Sequence, residues 1–351
     1  MALSSRLAIQ IPALDEAAME AARQRQNQLT KPPGSLGRLE ELSIQLAGIT
    51  GKPQPTVERK AIVVMAGDHG VTAEGVSAYP AEVTSQMVLN FLHGGAAINV
   101  IARQVGAKVV VVDMGVASDL NPHPELIDRK VATGTANMAL GPAMSVDQAE
   151  TALAVGMEIA AGLAGEGMHL IGTGEMGIGN TTASSAITAA LTGAPMAEVV
   201  GRGTGVDAAG FARKIEIVHR ALAVNRPAAD DPIEVLAKVG GYEIAGLTGL
   251  ILGSAAARIP VVIDGFITGA AALVAARLEP RSTGYMIASH QSAEIGHRIV
   301  LEALGLSPLF KLDLRLGEGT GAALAMPIIE AAVRLLREMA TFASAGVTEK
   351  S

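Results

Sequence analysis

After about residue 56, short apolar runs that stop at glycine alternate with longer stretches of helical spacing. The apolar runs predict strands, and each is followed by a loop and then by a predicted helix. Repeated strand, loop and helix units of this kind favour a parallel sheet with helices on its faces, so the predicted fold class is α/β. The predicted strands are Ala61–Ala66, Lys108–Met114, Met168–Ile171, Ile259–Ile263 and Gly284–Ala288.

The last unit has a different pattern. From Phe310 to Leu316 apolar residues alternate with Lys311, Asp313 and Arg315, which is the period of a strand with one wetter face. Gly317–Gly321 follows as a loop. A long apolar helix is then predicted from Ala322 to about Phe342, with Pro327 in its early turns.

The first fifty residues are helical in pattern. The spacing from Ala13 to about Ile49 predicts helices that are interrupted at the breaker Lys31-Pro-Pro-Gly34, and Gly51–Pro55 resembles a linker. We therefore predict an N-terminal helical segment over residues 1–55 and a large α/β domain over residues 56–351.

One stretch raises the question of a membrane span, since the mean hydropathy of the chain is +0.37. Ile244–Ala276 is apolar, but Arg258 and Asp264 interrupt it and much of it is Gly and Ala. A spanning helix needs about twenty predominantly apolar residues. The prediction is a buried helix, a buried strand and a second buried helix, with no membrane span.

Composition narrows the classes of function. With 49% hydrophobic and 17% charged residues, the 351-residue chain is expected to fold. A net charge of -7 and an aromatic content of 2% argue against a nucleic-acid partner. The absence of cysteine excludes disulfides, thiolate zinc sites and a cysteine nucleophile. The first residues lack an apolar core of signal-peptide length, so a cytoplasmic location is expected.

Ligands of an open parallel sheet bind outside the carboxyl ends of its strands, which directs attention to the polar loops after the apolar runs. The candidate loops are Gly67–Gly70, Gly172–Thr182, Gly201–Gly205, Ser289–Ser292 and Gly317–Gly321.

The loop Gly172–Thr182 contains four glycines and leads into a helix through Asn180, Thr181 and Thr182. The backbone amides and positive dipole end of such a helix start suit a phosphate; the alternative interpretation is a tight turn without a ligand. No Gly-Lys-Ser/Thr follows, and the dinucleotide fingerprint is not evident, so ATP and NAD chemistry are disfavoured.

Glu318 is the strongest candidate for a general base, because it stands between two glycines directly after a predicted strand. A solvated loop acid is the alternative. Glu175 has a similar setting, and Lys214 and Arg202 are the basic residues nearest the glycine-rich loops. Asp68 and His69 are candidates for a metal pair or for an acid/base pair, but the histidines lack ligand spacing, so no metal site is expected.

Seven blocks of sequence occur in one order and together resemble the nicotinate-nucleotide:dimethylbenzimidazole phosphoribosyltransferase family, from about Leu14 to Ala340. The blocks are Lys31–Arg38, Gly67–Val71, Gly174–Thr182, Lys238–Gly241, Asp264–Gly265, Ser289–His290 and Arg315–Pro327.

The resemblance implies a homodimer whose subunit has a large Rossmann-like parallel-sheet domain and a smaller helical domain that uses the N-terminal segment. It also implies transfer of the 5-phosphoribosyl group from nicotinate mononucleotide to 5,6-dimethylbenzimidazole, which gives α-ribazole 5′-phosphate and nicotinate in cobalamin nucleotide-loop assembly. No cofactor and no metal are required.

By resemblance, Glu318 is the general base that takes the N–H proton of the benzimidazole. The residues that the family's nucleotide site implies are Glu175, Gly177, Asn180, Thr181, Gly203, Lys214, Ser289 and Gly317. The segment that lines the benzimidazole pocket corresponds to residues 79–87 and implies Tyr79, Gln86 and Met87. Tyr79 stands where some members have serine, and this difference bears on which aromatic base is preferred.

Three alternatives remain open from the sequence. The first is the same type of reaction on another base, for which residues 79–87 would decide. The second is a non-catalytic regulator that binds a nucleotide, although binding alone would not require Glu318 and Glu175. The third, a nicotinamide-dependent oxidoreductase, is disfavoured by the missing fingerprint.

Overall fold

A six-stranded, wholly parallel sheet forms the centre of the computed structural model, which describes residues 9–348. The strand order is β3-β2-β1-β4-β5-β6, the order of a doubly wound Rossmann-like sheet. The predicted α/β class with a Rossmann-like parallel sheet is therefore confirmed. The strands are β1 Lys60–Gly67, β2 Ala107–Gly115, β3 Leu126–Asp128, β4 Leu170–Met176, β5 Val261–Ile263 and β6 Met286–Ala288.

Fourteen α-helices occur within residues 9–348. They are α1 Glu16–Gln28, α2 Arg38–Thr50, α3 Val83–Leu92, α4 Ala97–Val105, α5 Val146–Gly165, α6 Asn180–Thr192, α7 Met196–Val199, α8 Ala208–Asn225, α9 Pro232–Val239, α10 Tyr242–Ala256, α11 Phe266–Leu278, α12 Gly296–Leu304, α13 Thr320–Glu338 and α14 Phe342–Ala345.

The sheet is covered on both faces, and β1 is fully buried, with an apolar run from Ala61 to Ala66. Val63 and Met65 belong to the apolar cluster that contains residues of α5, α6, α10 and α11. Ile62 and Val64 belong to the cluster that contains residues of α4 and α13. Strands that are buried on both faces have continuous apolar sequences, and this pattern allowed β1 to be predicted from the sequence.

Glycine allows α5 and α10 to approach closely beneath the sheet. A Cβ added at Gly156 would lie 1.9 Å from the Gly246 carbonyl oxygen, and one added at Gly249 would lie 1.9 Å from the Leu153 carbonyl oxygen. The apolar stretch from Ile244 onward is thus the buried helix–strand–helix α10–β5–α11. In the described part of the chain, no helix has both the length and the apolar character that a membrane crossing demands.

The N-terminal helices α1 and α2 pack on each other and on α13 through a small apolar cluster that includes Ala18, Ala22, Ala47 and Leu336. The guanidinium of Arg25 donates hydrogen bonds to carbonyl groups at the end of α13. The division into residues 1–55 and 56–351 stays a prediction, and residues 1–8 and 349–351 lie outside the described residues.

The strand predicted at Phe310–Leu316 is wrong. The segment makes one isolated bridge, between Phe310 and His290, and Asp313 has a φ of +54°, which no regular strand accommodates. Its alternation has no apolar face against the core, since Leu312 and Leu316 are about 60% exposed. The structure also adds β3, a three-residue strand that is only partly buried or exposed. It extends β4 through Met176, so the predicted loop after β4 shrinks to residues 177–179.

Candidate active site

A cavity of about 320 Å³ opens at the carboxyl ends of the strands, next to the point where the strand order reverses between β1 and β4. It lies between the turn that precedes α6 and the turn that precedes α13. Seven of the residues predicted from the sequence line it: Tyr79, Glu175, Gly177, Asn180, Thr181, Gly203 and Gly317.

At one end of the cavity the N-terminus of α6 is open. The helix begins after Gly179, which has a φ of +95° and supplies no side-chain cap. The backbone amides of Asn180 and Thr182 donate to the carbonyl oxygens of Gly177 and Gly179, at 3.1 and 2.9 Å, and the amide of Thr181 has no partner among residues 9–348. This amide and the helix dipole therefore form a site with the chemistry for an anion.

Lys214 of α8 supplies a positive charge at the same end. Its Nζ atom donates a hydrogen bond of 2.7 Å to Oγ1 of Thr181, and a Cβ on Gly203 would lie 2.8 Å from that Nζ. The side chain is fully buried, and burial lowers the pKa of Lys214 to about 8, against the opposing charge of Glu294. An incoming anion would restore a charge partner to this ammonium group.

Glu175, at the end of β4, forms the wall between the two turns. Its Oε2 atom accepts a hydrogen bond from the Asn180 side chain, and its Oε1 atom lies where a Cβ on Gly317 would be. Burial, followed by the neighbouring charges of Asp264 and Glu243, raises the pKa of Glu175 to about 8. At neutral pH this carboxyl therefore carries a proton.

At the other end, three consecutive residues have left-handed backbone conformations: Gly317 (φ +83°), Glu318 (φ +63°) and Gly319 (φ +89°). Such a conformation costs a glutamate of the order of 1–3 kcal/mol. The turn lies directly on β4, because a Cβ on Gly174 would lie 2.5 Å from the Glu318 carbonyl oxygen. Strain of this kind persists where the surroundings over-determine the backbone, and it is concentrated at functional sites.

The Glu318 side chain is only 5% exposed. Its Oε2 atom accepts a hydrogen bond of 3.1 Å from the backbone amide of Ile98, in the first turn of α4. Burial raises the pKa of Glu318, and the Ile98 amide opposes this shift. Glu318 is a buried carboxyl beside the cavity wall formed by Gly317 and Glu175.

Asp264, which follows β5, is a buried acid of this site. In the sequence it lies in the Asp264–Gly265 block and was given no role. Its Oδ1 atom accepts a hydrogen bond of 2.9 Å from the backbone amide of Ala322, in the first turn of α13. Burial raises its pKa to about 7, whereas the amides of Ala322, Gly321 and Gly319 lower it. An acid directly after a buried apolar run was the available sequence signal.

Three further polar residues of the cavity were given no role from the sequence, although His290 and Arg315 lie within the blocks that carry the family resemblance. His290 and Glu294 line it, and burial lowers the pKa of His290 to about 4, so its ring is neutral. Arg315 also lines it and donates to the Gly203 carbonyl oxygen at 3.3 Å, which joins the segments on either side of the cavity. Arg315 and Gly203 are 112 residues apart in the sequence, so no local sequence pattern predicts their contact.

Four predicted residues besides Lys214 are not on the cavity lining itself. Glu318 lies behind Gly317, and Ser289 is fully buried, with its hydroxyl donating to the Asp264 carbonyl oxygen at 2.9 Å. Gln86 and Met87 lie on α3: Gln86 is exposed, and Met87 packs on the apolar cluster of the sheet. Of the predicted aromatic-base segment, the structure brings Tyr79 to the cavity.

The chain is similar to known proteins over nearly its whole length. A family model described as "Phosphoribosyltransferase" matches residues 11–347. A protein of Chloroflexus aggregans named nicotinate-nucleotide–dimethylbenzimidazole phosphoribosyltransferase is 60% identical over 350 residues, which cover 100% of this chain and 99% of the relative. A protein of the same name from Geobacter metallireducens is 58% identical and covers 95% of each chain.

Two solved structures from Thermus thermophilus are similar. One, described as the phosphoribosyltransferase of that name, is 51% identical with a TM-score of 0.91 and covers 96% of this chain and 100% of its own. The other, described as CobT, is 53% identical with a TM-score of 0.92 and covers 95% of this chain and 100% of its own.

Proposed function

The chain belongs to the nicotinate-nucleotide–dimethylbenzimidazole phosphoribosyltransferase family, and we propose on that premise that it transfers the 5-phosphoribosyl group of nicotinate mononucleotide to 5,6-dimethylbenzimidazole. The products are α-ribazole 5′-phosphate and nicotinate, in cobalamin nucleotide-loop assembly. The observation that carries the proposal is the placement, at the two ends of one cavity, of the α6 N-terminus beside the buried Lys214 and of the Gly317 turn that carries the buried Glu318.

The 5′-phosphate of the nucleotide binds at the α6 end of the cavity. The backbone amide of Thr181 donates to a phosphate oxygen, and the ammonium of Lys214 balances its charge. Gly203 lacks the side chain that would fill the space in front of Lys214. This arrangement orients the ribose so that C1′ lies toward Glu175 and Gly317.

Glu318 is the general base of the transfer. Its carboxylate takes the N–H proton of the benzimidazole, and the opposite ring nitrogen attacks C1′ of the ribose. The bond from C1′ to the pyridinium nitrogen breaks, and its electron pair leaves with nicotinate. A raised pKa makes the carboxylate of Glu318 a stronger base than an exposed glutamate, provided the pH is above that pKa.

The leaving group explains why one base suffices. Nicotinate departs from a pyridinium, so its nitrogen needs no proton and no Lewis acid. The demanding step is to make an aromatic nitrogen nucleophilic while C1′ gains oxocarbenium character. We therefore assign no metal or cofactor to the reaction.

The identity of the base depends on the segment around Tyr79. Tyr79 lines the cavity and is 56% exposed, so its ring is available to stack on an aromatic substrate. Gln86 and Met87 stay predictions as base-contacting residues. A homodimeric assembly and a cytoplasmic location also stay predictions.

The experiment is a product assay by mass spectrometry with purified protein, nicotinate mononucleotide and a panel of benzimidazoles, purines and phenols. Wild-type protein is expected to form α-ribazole 5′-phosphate, and Glu318→Gln to lower kcat about 10²- to 10⁴-fold. Glu166→Gln is the matched control, because Glu166 is an exposed partner of Lys108 away from the cavity. Nucleotide binding without conversion of any base would instead support the non-catalytic regulator.

A further inference from the structure

Asp264 connects the end of β5 to the first turn of α13, although the two are 58 residues apart in the sequence. Its carboxylate accepts the Ala322 amide at 2.9 Å, and a Cβ on Gly321 would lie 2.8 Å from its Oδ1 atom. The helix has no cap of its own, since the residue before it is Gly319. Asp264 is therefore a long-range cap of α13.

The turn that this cap holds is the one that carries Glu318. Helix α13 begins at Thr320, two residues after Glu318, and the three residues 317–319 all have left-handed backbones. A turn with a non-glycine residue in that region relaxes unless its surroundings hold it. The backbone of the turn packs closely on Gly174 of β4, and Asp264 caps the helix that follows the turn.

We propose that Asp264 is a positioning residue for the transfer reaction and acts through Glu318. It fixes the backbone of the turn before α13 in the position from which the Glu318 carboxylate reaches the substrate. The inference rests on the proposed role of Glu318 as general base. It assigns to Asp264 an effect on the rate of the chemical step and not on the binding of the nucleotide.

The environment of Asp264 separates this role from that of a substrate ligand. Its side chain contributes to the cavity wall but the residue is only 1% exposed, and Oδ1 is engaged by the helix. Its backbone is fixed as well: the Asp264 amide donates to Oγ1 of Thr173 at 3.2 Å, and its carbonyl accepts from Ser289. Because its carboxylate and its backbone both make hydrogen bonds within the protein, Asp264 can fix the position of the first turn of α13.

The placement also suits a carboxylate in particular. The N-terminus of α13 presents backbone amides and the positive end of a helix dipole, and an acid there is favoured over a neutral acceptor. The amides of α13 favour the ionised form of Asp264 against the burial that raises its pKa to about 7, and that ionised form makes hydrogen bonds roughly twice as strong as a neutral acceptor does. An asparagine at this position would keep an acceptor oxygen but lose the charge.

The test is a double-mutant cycle in kcat. Asp264→Ala is expected to lower kcat about 100-fold, since misplacement by about 1 Å costs that much, with little change in the KM for nicotinate mononucleotide. Asp264→Asn keeps an acceptor and is expected to lose about tenfold. In a Glu318→Gln background, Asp264→Ala is expected to cost no more than about twofold further, because the base through which it acts is already gone.

Asp231→Ala is the matched control. Asp231 caps α9 by accepting a hydrogen bond of 3.0 Å from the Glu234 amide, and no residue of α9 lines the cavity, so kcat should stay near that of the wild type. Circular dichroism and thermal unfolding check the fold of every variant. If Asp264→Ala does not fold, Asp264→Asn carries the cycle.

Three results would overturn the inference. Losses that multiply in the double variant would mean that Asp264 acts independently of Glu318. A raised KM at unchanged kcat would mean that it binds the nucleotide directly. An equal loss in Asp231→Ala would mean that the loss of a helix cap in general, and not the position of Glu318, is the cause. Wild-type activity of Glu318→Gln alone would instead refute the proposed base, and it is visible before any Asp264 variant is measured.

Discussion

The helices α6 and α13 begin in the same way and are used differently. Each follows a glycine with a φ near +90°, Gly179 or Gly319, and neither has a side-chain cap from that residue. At α13 the first-turn amide of Ala322 is taken by Asp264, whereas the first turn of α6 faces the cavity beside Lys214. The open end is available to a ligand, and the occupied end fixes a residue.

The difference shows that a glycine-rich turn before a helix does not identify a phosphate site by itself. A buried acid lies beside each turn, Glu175 at α6 and Asp264 at α13, and what distinguishes the two is the buried cation Lys214 at α6. On the account proposed above, the α6 end binds the nucleotide and the α13 end carries out proton transfer.

The largest expected effect comes from placing an acid at the open end. Thr181→Asp puts a carboxylate of nearly the same size into the first turn of α6, next to Lys214, where it competes with the phosphate. We expect the KM for nicotinate mononucleotide to rise about 100-fold, while thermal stability is kept or raised because an acid favours a helix N-terminus.

Thr181→Val is the uncharged control for this substitution and should raise the KM less. Steady-state kinetics and thermal unfolding measure both quantities. An unchanged KM in Thr181→Asp would contradict the assignment of the phosphate to α6.

A smaller effect is expected from strain at the occupied end. In Gly319→Ala the new Cβ would lie 2.6 Å from Cγ2 of Ile62, in a left-handed backbone that alanine disfavours. We expect a loss of about 1–3 kcal/mol of stability and about a tenfold loss of kcat, because the Glu318 turn shifts.

Gly305→Ala separates stability from activity. Gly305 ends α12 with a φ of +65°, and no atom lies within 4 Å of a Cβ built there. It should lose about 1–2 kcal/mol with no loss of kcat. If both variants lose activity alike, denaturation and not the position of Glu318 explains the effect.

The smallest effect is a pH dependence at the α6 end. Because burial lowers the pKa of Lys214 to about 8, the free enzyme holds its proton at pH 7 and loses it as the pH rises through about 8. We expect kcat/KM for the nucleotide to fall above that pH, with a basic limb that Lys214→Met lacks. The same limb in Lys214→Met would assign it to another group.

Hydropathy in the sequence predicted the strand that is buried on both faces of the sheet, and it gave wrong predictions for segments that are partly exposed. β1 is buried on both faces and is an unbroken apolar run, so its location was clear. β3 has only partly buried or exposed residues, and the alternation of Phe310–Leu316 arises in an exposed segment, so hydropathy misled in both cases.

The site likewise contains features that local sequence predicts and contacts that it does not. Local signals located the turns around Gly177 and Glu318, because glycines before a helix are visible in one stretch of sequence. The long-range contacts were not visible: Lys214 reaches Thr181 across 33 residues, and Asp264 reaches Ala322 across 58. Such pairs depend on the order of strands in the sheet, which no local pattern encodes.

The division of labour between the two turns is tested most directly by titrating nicotinate mononucleotide into wild type and Glu318→Gln by isothermal calorimetry, without the base. The account predicts a Kd for Glu318→Gln within about twofold of the wild type, although its turnover is lost. A Kd weakened by the same factor as kcat would contradict it, because Glu318 would then hold the nucleotide rather than activate the base.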